Sequence, residues 1–237
     1  MNVIKDIEMP IDFENLDENT IKLCNIMKNL SPDDFSVYMK INSELALKTF
    51  TYYQDMDLSK MGTPAICSYN GIQYKNINPL DFDEKDIAFS NEHINIISGF
   101  YGLLKSQTPI QPYRLEMGLK MPFNFKTLYK LWGDTIYYEL YSDTDTVINL
   151  ASDEYSKAIT PFLKENDRFI TVKFLKYSKG KYKALATDSK ISRGQMVRFI
   201  VKNKIDNPEN LKSFDGNDYT FSEHLSDSKT FVFTKDM

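Results

Sequence analysis

Residues 169–185 read FITVKFLKYSKGKYKAL and give the clearest β signal in the chain. Two strand-like segments, 169–174 and 181–185, flank the turn residues 178–180. Apolar side chains alternate with outward lysines, as in strands that have one face packed on a core. The stretch therefore predicts a lysine-rich hairpin that belongs to a sheet.

This hairpin lies within a strongly basic region. Residues 156–204 hold thirteen Lys and Arg against three acids, a surplus of ten, while the whole chain has a net charge of −4. A local positive potential attracts a polyanion even when the protein as a whole is acidic. The alternative interpretation is a solvent-exposed face of an outer strand, where lysines prevent pairing with a strand of another molecule.

Composition limits the class of protein. A chain of 237 residues that is 42% hydrophobic can bury a sizeable core. We expect one domain over residues 1–237, with a helical part over 1–60 and a mixed body over 61–237. The acidic start and the lack of an 18-residue apolar run predict a cytosolic protein without a spanning helix. With two Cys and two His, we expect no metal site and no cofactor.

Local patterns predict the remaining elements. Three helices are expected at 20–30, from Pro32 to about residue 40, and after a cap at 41–43. Asn70-Gly71 predicts a β-hairpin over 65–74. Further along, we expect a helix over 83–91, a strand over 94–98, a helix over 125–141, a strand over 147–150, a helix over 190–205 and a strand over 231–233. The fold class is therefore α+β, a single compact domain with a mixed β-sheet flanked by helices.

Residues 111–118, QPYRLEMG, form an irregular segment that presents side chains. Arg114 can bind a phosphate or carboxylate with two parallel hydrogen bonds, and Glu116 can orient it or act as a base. An Arg114–Glu116 ion pair that fixes the loop is an equally weighted alternative.

A second polar group follows the strand at 147–150. Asp153 and Glu154 are candidates for acid/base work beside Tyr155 and Lys157, or serve only as acids in the first turn of a helix. A third group is basic and lies on the helix over 190–205. Arg193 and Arg198 are the main candidates there for phosphate contacts, with Lys202 and Lys204 as electrostatic support. The alternative is that the two arginines cap and salt-bridge a surface helix.

Common nucleotide-binding and hydrolase motifs do not occur in the sequence. Five longer runs, taken together in order and spacing, resemble the YaaA family of bacterial peroxide-stress proteins, and they lie at residues 97–104, 111–118, 131–134, 148–157 and 192–199.

The resemblance implies an unusual single-domain α+β fold, DNA binding through a positively charged cleft, and a role in limiting oxidative damage. It also implies a helix-hairpin-helix element, which we place at residues 32–53 with its turn at 41–44. Members of the family usually open with an apolar strand ending in Ser-Pro-Ala-Lys. This chain begins about where that segment would end, so we expect that strand and its cleft lysine to be missing.

Our first hypothesis is a DNA-binding protein of the peroxide stress response, a monomer that binds duplex or distorted DNA with little sequence preference. Phosphate contacts are expected from Tyr113, Arg114, Lys157, Arg193, Arg198, Lys202 and Lys204. The alternative is an enzyme acting on a nucleotide or nucleic-acid base, with catalytic candidates Glu116, Asp153, Glu154, Tyr155 and Lys157. A weaker hypothesis is iron handling, although few His and Cys are available.

Overall fold

The computed structural model describes residues 1–121 and 124–236. The helices are α1 (Glu18–Lys28), α2 (Pro32–Met39), α3 (Ser43–Asp55), α4 (Ala65–Ser68), α5 (Ile72–Ile77), α6 (Glu84–His93), α7 (Leu128–Trp132), α8 (Thr135–Leu140), α9 (Asp153–Ser156) and α10 (Ala186–Asn203). The strands are β1 (Met9–Pro10), β2 (Met61–Pro64), β3 (Asn95–Ser98), β4 (Gly102–Lys105), β5 (Pro109–Ile110), β6 (Thr146–Asn149), β7 (Arg168–Ser178), β8 (Lys181–Lys183), β9 (Thr220–Phe221) and β10 (Thr230–Lys235).

These elements confirm the α+β class with a mixed sheet flanked by helices. The chain forms two compact units, each built from separated segments. Unit 1 comprises Met1–Tyr69, Asn95–Ser142 and Ser152–Leu163, and unit 2 comprises Asn70–Ile94, Asp143–Ala151 and Lys164–Met237. The expectation of one domain over residues 1–237 stays a prediction.

Unit 2 contains the mixed sheet. Its strand order is β6-β7-β10-β9, and β8 pairs with β7. Strand β7 runs parallel to β6 and β10 and antiparallel to β8. The predicted strands at 147–150 and 231–233 and the lysine-rich hairpin are therefore confirmed.

The core of unit 2 follows from the alternation along β7. Ile170, Val172 and Phe174 point inward and are 0–2% exposed. Phe231 and Phe233 of β10 lie beside them, since β10 pairs in register with β7. Helix α10 covers this layer with the buried apolar side chains of Met196 and Ile200, which are four residues apart and so lie on one face of the helix.

The predicted hairpin over 65–74 is wrong, because residues 65–68 form α4 and residues 72–77 form α5. Gly71 is the N-cap of α5 at φ −81°, so Asn70-Gly71 does not adopt the positive φ values that a tight hairpin turn needs. Packing stabilises α5 as a helix. A Cβ added to Gly194 of α10 would lie 2.1 Å from the carbonyl oxygen of Gln73, which shows how closely the two helices approach.

The three predicted helices follow β1 in unit 1. Asp17 and Asn42 cap α1 and α3 through their side chains, and Ser31 forms a capping box with Asp34 at the start of α2. Residues 40–42 join α2 to α3, and Lys40 turns the chain at φ 53°. The identity of this pair as a helix-hairpin-helix element stays a prediction.

The β-structure of unit 1 consists of the sheet β1-β2-β5 and the antiparallel pair β3–β4. Strand β3 confirms the prediction for 94–98. The single helix predicted over 125–141 is wrong, because Gly133 at φ 51° separates α7 from α8. Trp132 ends α7 and is 2% exposed, packed where Gly102 leaves room for its ring.

Candidate functional site

Arg198 and Lys202 lie one turn apart on α10 and both bind the segment that follows α5. The guanidinium of Arg198 donates to the carbonyl oxygens of Ile77 and Asn78, both at 3.2 Å, and its Nη2 lies 2.7 Å from Asp81 Oδ2. Lys202 Nζ donates to the Asp81 carbonyl at 2.9 Å. These side chains therefore tie α10 to the end of α5.

Asp86 of α6 receives two of the predicted phosphate-binding lysines. Lys202 Nζ lies 2.6 Å from its Oδ2, and Lys204 Nζ contacts its Oδ1. The ammonium groups of Lys202 and Lys204 hold the pKa of the Asp86 carboxyl well below its usual range. The structure thus places Arg198, Lys202 and Lys204 together, but with carboxylates as their partners. Arg193 is half-buried on the same helix and also has an interaction partner.

Unit 2 also has lysines without an ion pair among its described residues, and they are most concentrated on the lysine-rich hairpin. We call residues 176–183 the basic ribbon. They comprise the end of β7, a two-residue turn and β8, and they contain no acid. The lysines of the ribbon are Lys176, Lys179, Lys181 and Lys183. In the described part of the chain, none of them forms an ion pair with a carboxylate.

The ribbon extends beyond the sheet. Pairing between β7 and β10 ends at Lys176, and from there β7 is paired with β8 on its other side. Lys179 at φ 52° and Gly180 at φ 79° make the turn. Two successive positive φ values match the twist of a tight two-residue hairpin, so the local sequence favours this geometry.

An exposed aromatic pair accompanies the lysines. Tyr177 and Tyr182 are directly opposite in the register, 39% and 41% exposed, with ring centroids 5.2 Å apart. These tyrosines were not among the site residues predicted from the sequence. Their alternation with lysine in KYSKGKYK was the available signal, since basic residues interleaved with aromatics are typical of nucleic-acid contacts.

Tyr113 is a structural residue of unit 1. Its side chain is buried, and its hydroxyl lies 2.7 Å from Ser98 Oγ and 2.6 Å from the Tyr69 hydroxyl. Burial raises the pKa of Tyr113 well above its usual value. The geometry therefore gives Tyr113 a role in packing rather than an exposed surface for a phosphate.

Arg114 and Glu116 form the ion pair given above as one alternative. Arg114 Nη2 lies 2.6 Å from Glu116 Oε1, and both side chains are more than one third exposed. The Tyr53 hydroxyl donates to the Arg114 carbonyl at 2.9 Å and fixes the backbone of the loop. Gly99 allows close approach, because a Cβ there would lie 2.6 Å from the Leu115 carbonyl oxygen.

Glu154 joins this loop to α9. Its Oε1 accepts a hydrogen bond of 2.9 Å from the Gly118 amide, and its carbonyl oxygen accepts one of 2.8 Å from the Tyr129 hydroxyl. Tyr155 is half-buried, and burial followed by the charge of Glu154 raises the pKa of its phenol. Unit 1 thus brings Glu154 and Tyr155 next to the loop of Arg114 and Glu116, and we call these four residues the polar site.

The other two candidates of that segment are exposed. Asp153 starts α9 and Lys157 follows its end. Lys157 forms no ion pair within residues 1–121 and 124–236. Neither side chain has a contact that draws it into the polar site.

Within residues 1–121 and 124–236, every helix is too short or too polar to span a lipid bilayer. In the same part of the chain, no group of three or more His, Cys, Asp or Glu side chains is arranged to hold a metal ion.

Comparison with known proteins gives a consistent family. The family model described as peroxide stress protein YaaA matches residues 5–225. A UPF0246 protein of Clostridioides difficile is 39% identical over 98% of this chain and 93% of its own length. One from Limosilactobacillus reuteri is 40% identical over 98% and 94%, and one from Ligilactobacillus salivarius is 42% identical over 88% and 85%. Because both the family model and these relatives span most of its length, the chain belongs to the peroxide stress protein YaaA family.

Proposed function

We propose that this protein binds DNA during peroxide stress through the basic ribbon, with little sequence preference. The observation that carries the proposal is the ribbon itself, four lysines in eight residues without an acid or a described ion-pair partner. A two-stranded β-ribbon is narrow enough to enter the major groove of DNA. We propose the bacterial cytosol, where such DNA is found, as its location.

The physical basis is release of counterions from the phosphate backbone. Each phosphate that a lysine neutralises releases condensed cations, which favours binding at low salt and carries no sequence information. Lysines already held by carboxylates contribute less, because DNA must compete with those partners. This favours the ribbon over Arg198, Lys202 and Lys204, whose partners are Asp81 and Asp86.

A charge-matched comparison tests the proposal. The ribbon variant is Lys176→Gln/Lys181→Gln/Lys183→Gln. The control, Lys75→Gln/Lys85→Gln/Lys229→Gln, removes the same net charge at exposed positions of unit 2 outside the ribbon. Affinity for a labelled 20-bp duplex is measured by fluorescence anisotropy at fixed low salt. We expect the ribbon variant to lose tenfold or more and the control to lose at most about twofold.

Equal losses in the two variants would contradict the ribbon as the binding element, since net charge alone would then explain the affinity. Unchanged binding in the ribbon variant would contradict it as well. Far-UV circular dichroism of both variants establishes that the fold is retained.

A second candidate function is an enzyme acting on a nucleotide or a nucleic-acid base at the polar site. The hydrogen bond between Gly118 and Glu154 favours this function, because it joins the loop that contains Glu116 to the segment that contains Glu154 and Tyr155, both in unit 1. The Tyr155 phenol lies beside Glu154 and can donate a hydrogen bond at neutral pH, while burial and the Glu154 charge raise its pKa and make it a weaker acid than a free phenol. Glu116, 40% exposed and fixed by Arg114, supplies a carboxylate that can accept a proton.

Product analysis tests this activity separately from binding. The protein is incubated with nucleosides and with duplexes that carry an oxidised base, and products are identified by mass spectrometry. We expect a product with the native chain and its loss in Glu116→Gln and in Tyr155→Phe. Lack of any product with the native chain, or the same yield in both variants, would contradict the enzymatic proposal.

A further inference from the structure

We propose that Tyr177 and Tyr182 form a stacking surface for unpaired bases, so that the ribbon binds single-stranded and locally melted DNA more tightly than intact duplex. This inference rests on the proposed DNA binding by the ribbon. It assigns different chemistry to the two faces of the ribbon: phosphate attraction to one and base stacking to the other.

The register of β7 and β8 separates these faces. Lys176 is opposite Lys183, Tyr177 is opposite Tyr182, and Ser178 is opposite Lys181. Because successive residues of a strand point to opposite faces, the lysines at 176, 181 and 183 share one face. The two tyrosines share the other. A DNA strand that runs along the edge of the ribbon can therefore contact the lysines with its phosphates on one side and the tyrosine rings with its bases on the other.

The tyrosine rings have surface available for a ligand. Each side chain is about 40% exposed, although burial of such rings is usually favourable. Their planes are inclined at 62°, so each ring covers at most one face of the other. The surrounding residues are also exposed, from Lys179 to Thr187 along the turn, β8 and the start of α10. An aromatic pair on such an open ribbon is accessible to a planar base.

A packing role for the pair is the competing explanation. Cross-strand aromatic pairs stabilise hairpins, and this pair lies where the ribbon has passed the end of its pairing with β10. Packing alone predicts that loss of the rings weakens every kind of DNA binding equally. Stacking on bases predicts a loss confined to DNA with unpaired bases, because the bases of an intact duplex are already stacked on one another.

The substitutions are chosen to keep the ribbon folded. Tyr177→Ile/Tyr182→Ile retains strand propensity and apolar character but removes the flat rings. Tyr177→Phe/Tyr182→Phe retains the rings and removes only the hydroxyls. The lysine variant Lys176→Gln/Lys181→Gln/Lys183→Gln serves as the reference for phosphate contacts.

Affinities are measured for a single-stranded 20-mer, a duplex with a central bubble and the intact duplex, all at the same salt concentration. We expect the isoleucine variant to lose about tenfold on the single strand and the bubble and less than twofold on the duplex. The phenylalanine variant should bind all three DNAs like the native protein. The lysine variant should lose affinity for all three.

Equal losses of the isoleucine variant on all three DNAs would overturn the stacking proposal and leave DNA binding by the ribbon intact. Unchanged binding of that variant to the single strand would overturn it too. Failure of the native protein to bind any of the three DNAs would overturn the proposed function itself.

Discussion

Asp86 is a single carboxylate that holds two cations of unit 2. Its side chain is 4% exposed, and it accepts hydrogen bonds from both Lys202 and Lys204 while its Oδ2 also caps the Asp83 amide. A carboxylate this enclosed is stabilised in its charged form by its partners, which is why its pKa is lowered. The two lysines therefore act mainly in holding α10 against α6.

Replacement of Asp86 by Asn should lower the stability of the protein. The amide keeps an oxygen for the Asp83 cap but leaves Lys202 and Lys204 without their shared charge. We expect a fall in Tm of about 3–6 °C, measured by differential scanning calorimetry. Glu84→Gln on the same helix is the control, since Glu84 is exposed, and a similar fall in that variant would contradict the role of Asp86.

The same residue predicts a dependence on pH. Because the folded-state pKa of Asp86 lies below its unfolded value, its contribution is complete above about pH 4 and is lost as pH falls below that value. The difference in Tm between native protein and Asp86→Asn should therefore narrow on acidification below about pH 4. A constant difference from pH 7 to pH 3 would contradict this assignment.

A glycine of α10 allows helices α5 and α10 to approach closely. A Cβ at Gly194 would lie 2.1 Å from the Gln73 carbonyl oxygen and 2.8 Å from Asn76 Cβ. Backbone atoms cannot move away as a flexible side chain can. The glycine therefore serves packing, although it lies between the arginines that the sequence indicated as phosphate ligands.

Gly194→Ala should destabilise the protein although alanine is the better helix former. Overpacking at such a contact costs about 1–3 kcal/mol, and the distance of 2.1 Å places this site toward the upper end. Gly71→Ala at the start of α5 is the control, because nothing lies within 4 Å of its added Cβ. Urea denaturation of both variants measures the difference, and equal stability would contradict the close-packing account.

Elements with strong local signals were predictable from the sequence. The ribbon, β3, β6 and the capped helices α1 to α3 follow from alternation, buried apolar runs and N-cap residues. Asn70-Gly71 misled because glycine serves both as a turn residue and as a helix N-cap, and the packing of α5 on α10 decides between them. That contact joins residues about 120 positions apart, beyond the reach of local patterns.

The candidate sites show the same limit. Positive charge at Arg198 and Lys202 is visible in the sequence, but the carboxylates that neutralise it are 116 to 121 positions away. The hydrogen bond between Gly118 and Glu154 is also nonlocal, since it joins residues 36 positions apart. By contrast, the ribbon is formed by neighbours in sequence, so both its lysines and its tyrosines could be located from the local pattern once the turn was recognised.

At the scale of the whole molecule, the proposed binding of a polyanion by an acidic protein depends on how its charges are distributed. The net charge is −4, yet residues 156–204 carry a surplus of ten positive charges. Carboxylates of unit 2 neutralise part of this positive charge on and beside α10 through ion pairs. The ribbon lysines form no ion pair among the described residues. Affinity for DNA should therefore depend on a small number of ribbon charges and not on pI.

The salt dependence of DNA binding tests this account most directly. Log affinity for duplex DNA is plotted against log salt for the native protein, for Lys176→Gln/Lys181→Gln/Lys183→Gln and for the control Lys75→Gln/Lys85→Gln/Lys229→Gln. At about 0.9 per phosphate contact, loss of three contacts should make the slope of the ribbon variant shallower by about 3, while the control keeps the native slope. A native slope in the ribbon variant, or equal changes in both variants, would contradict DNA binding through the ribbon.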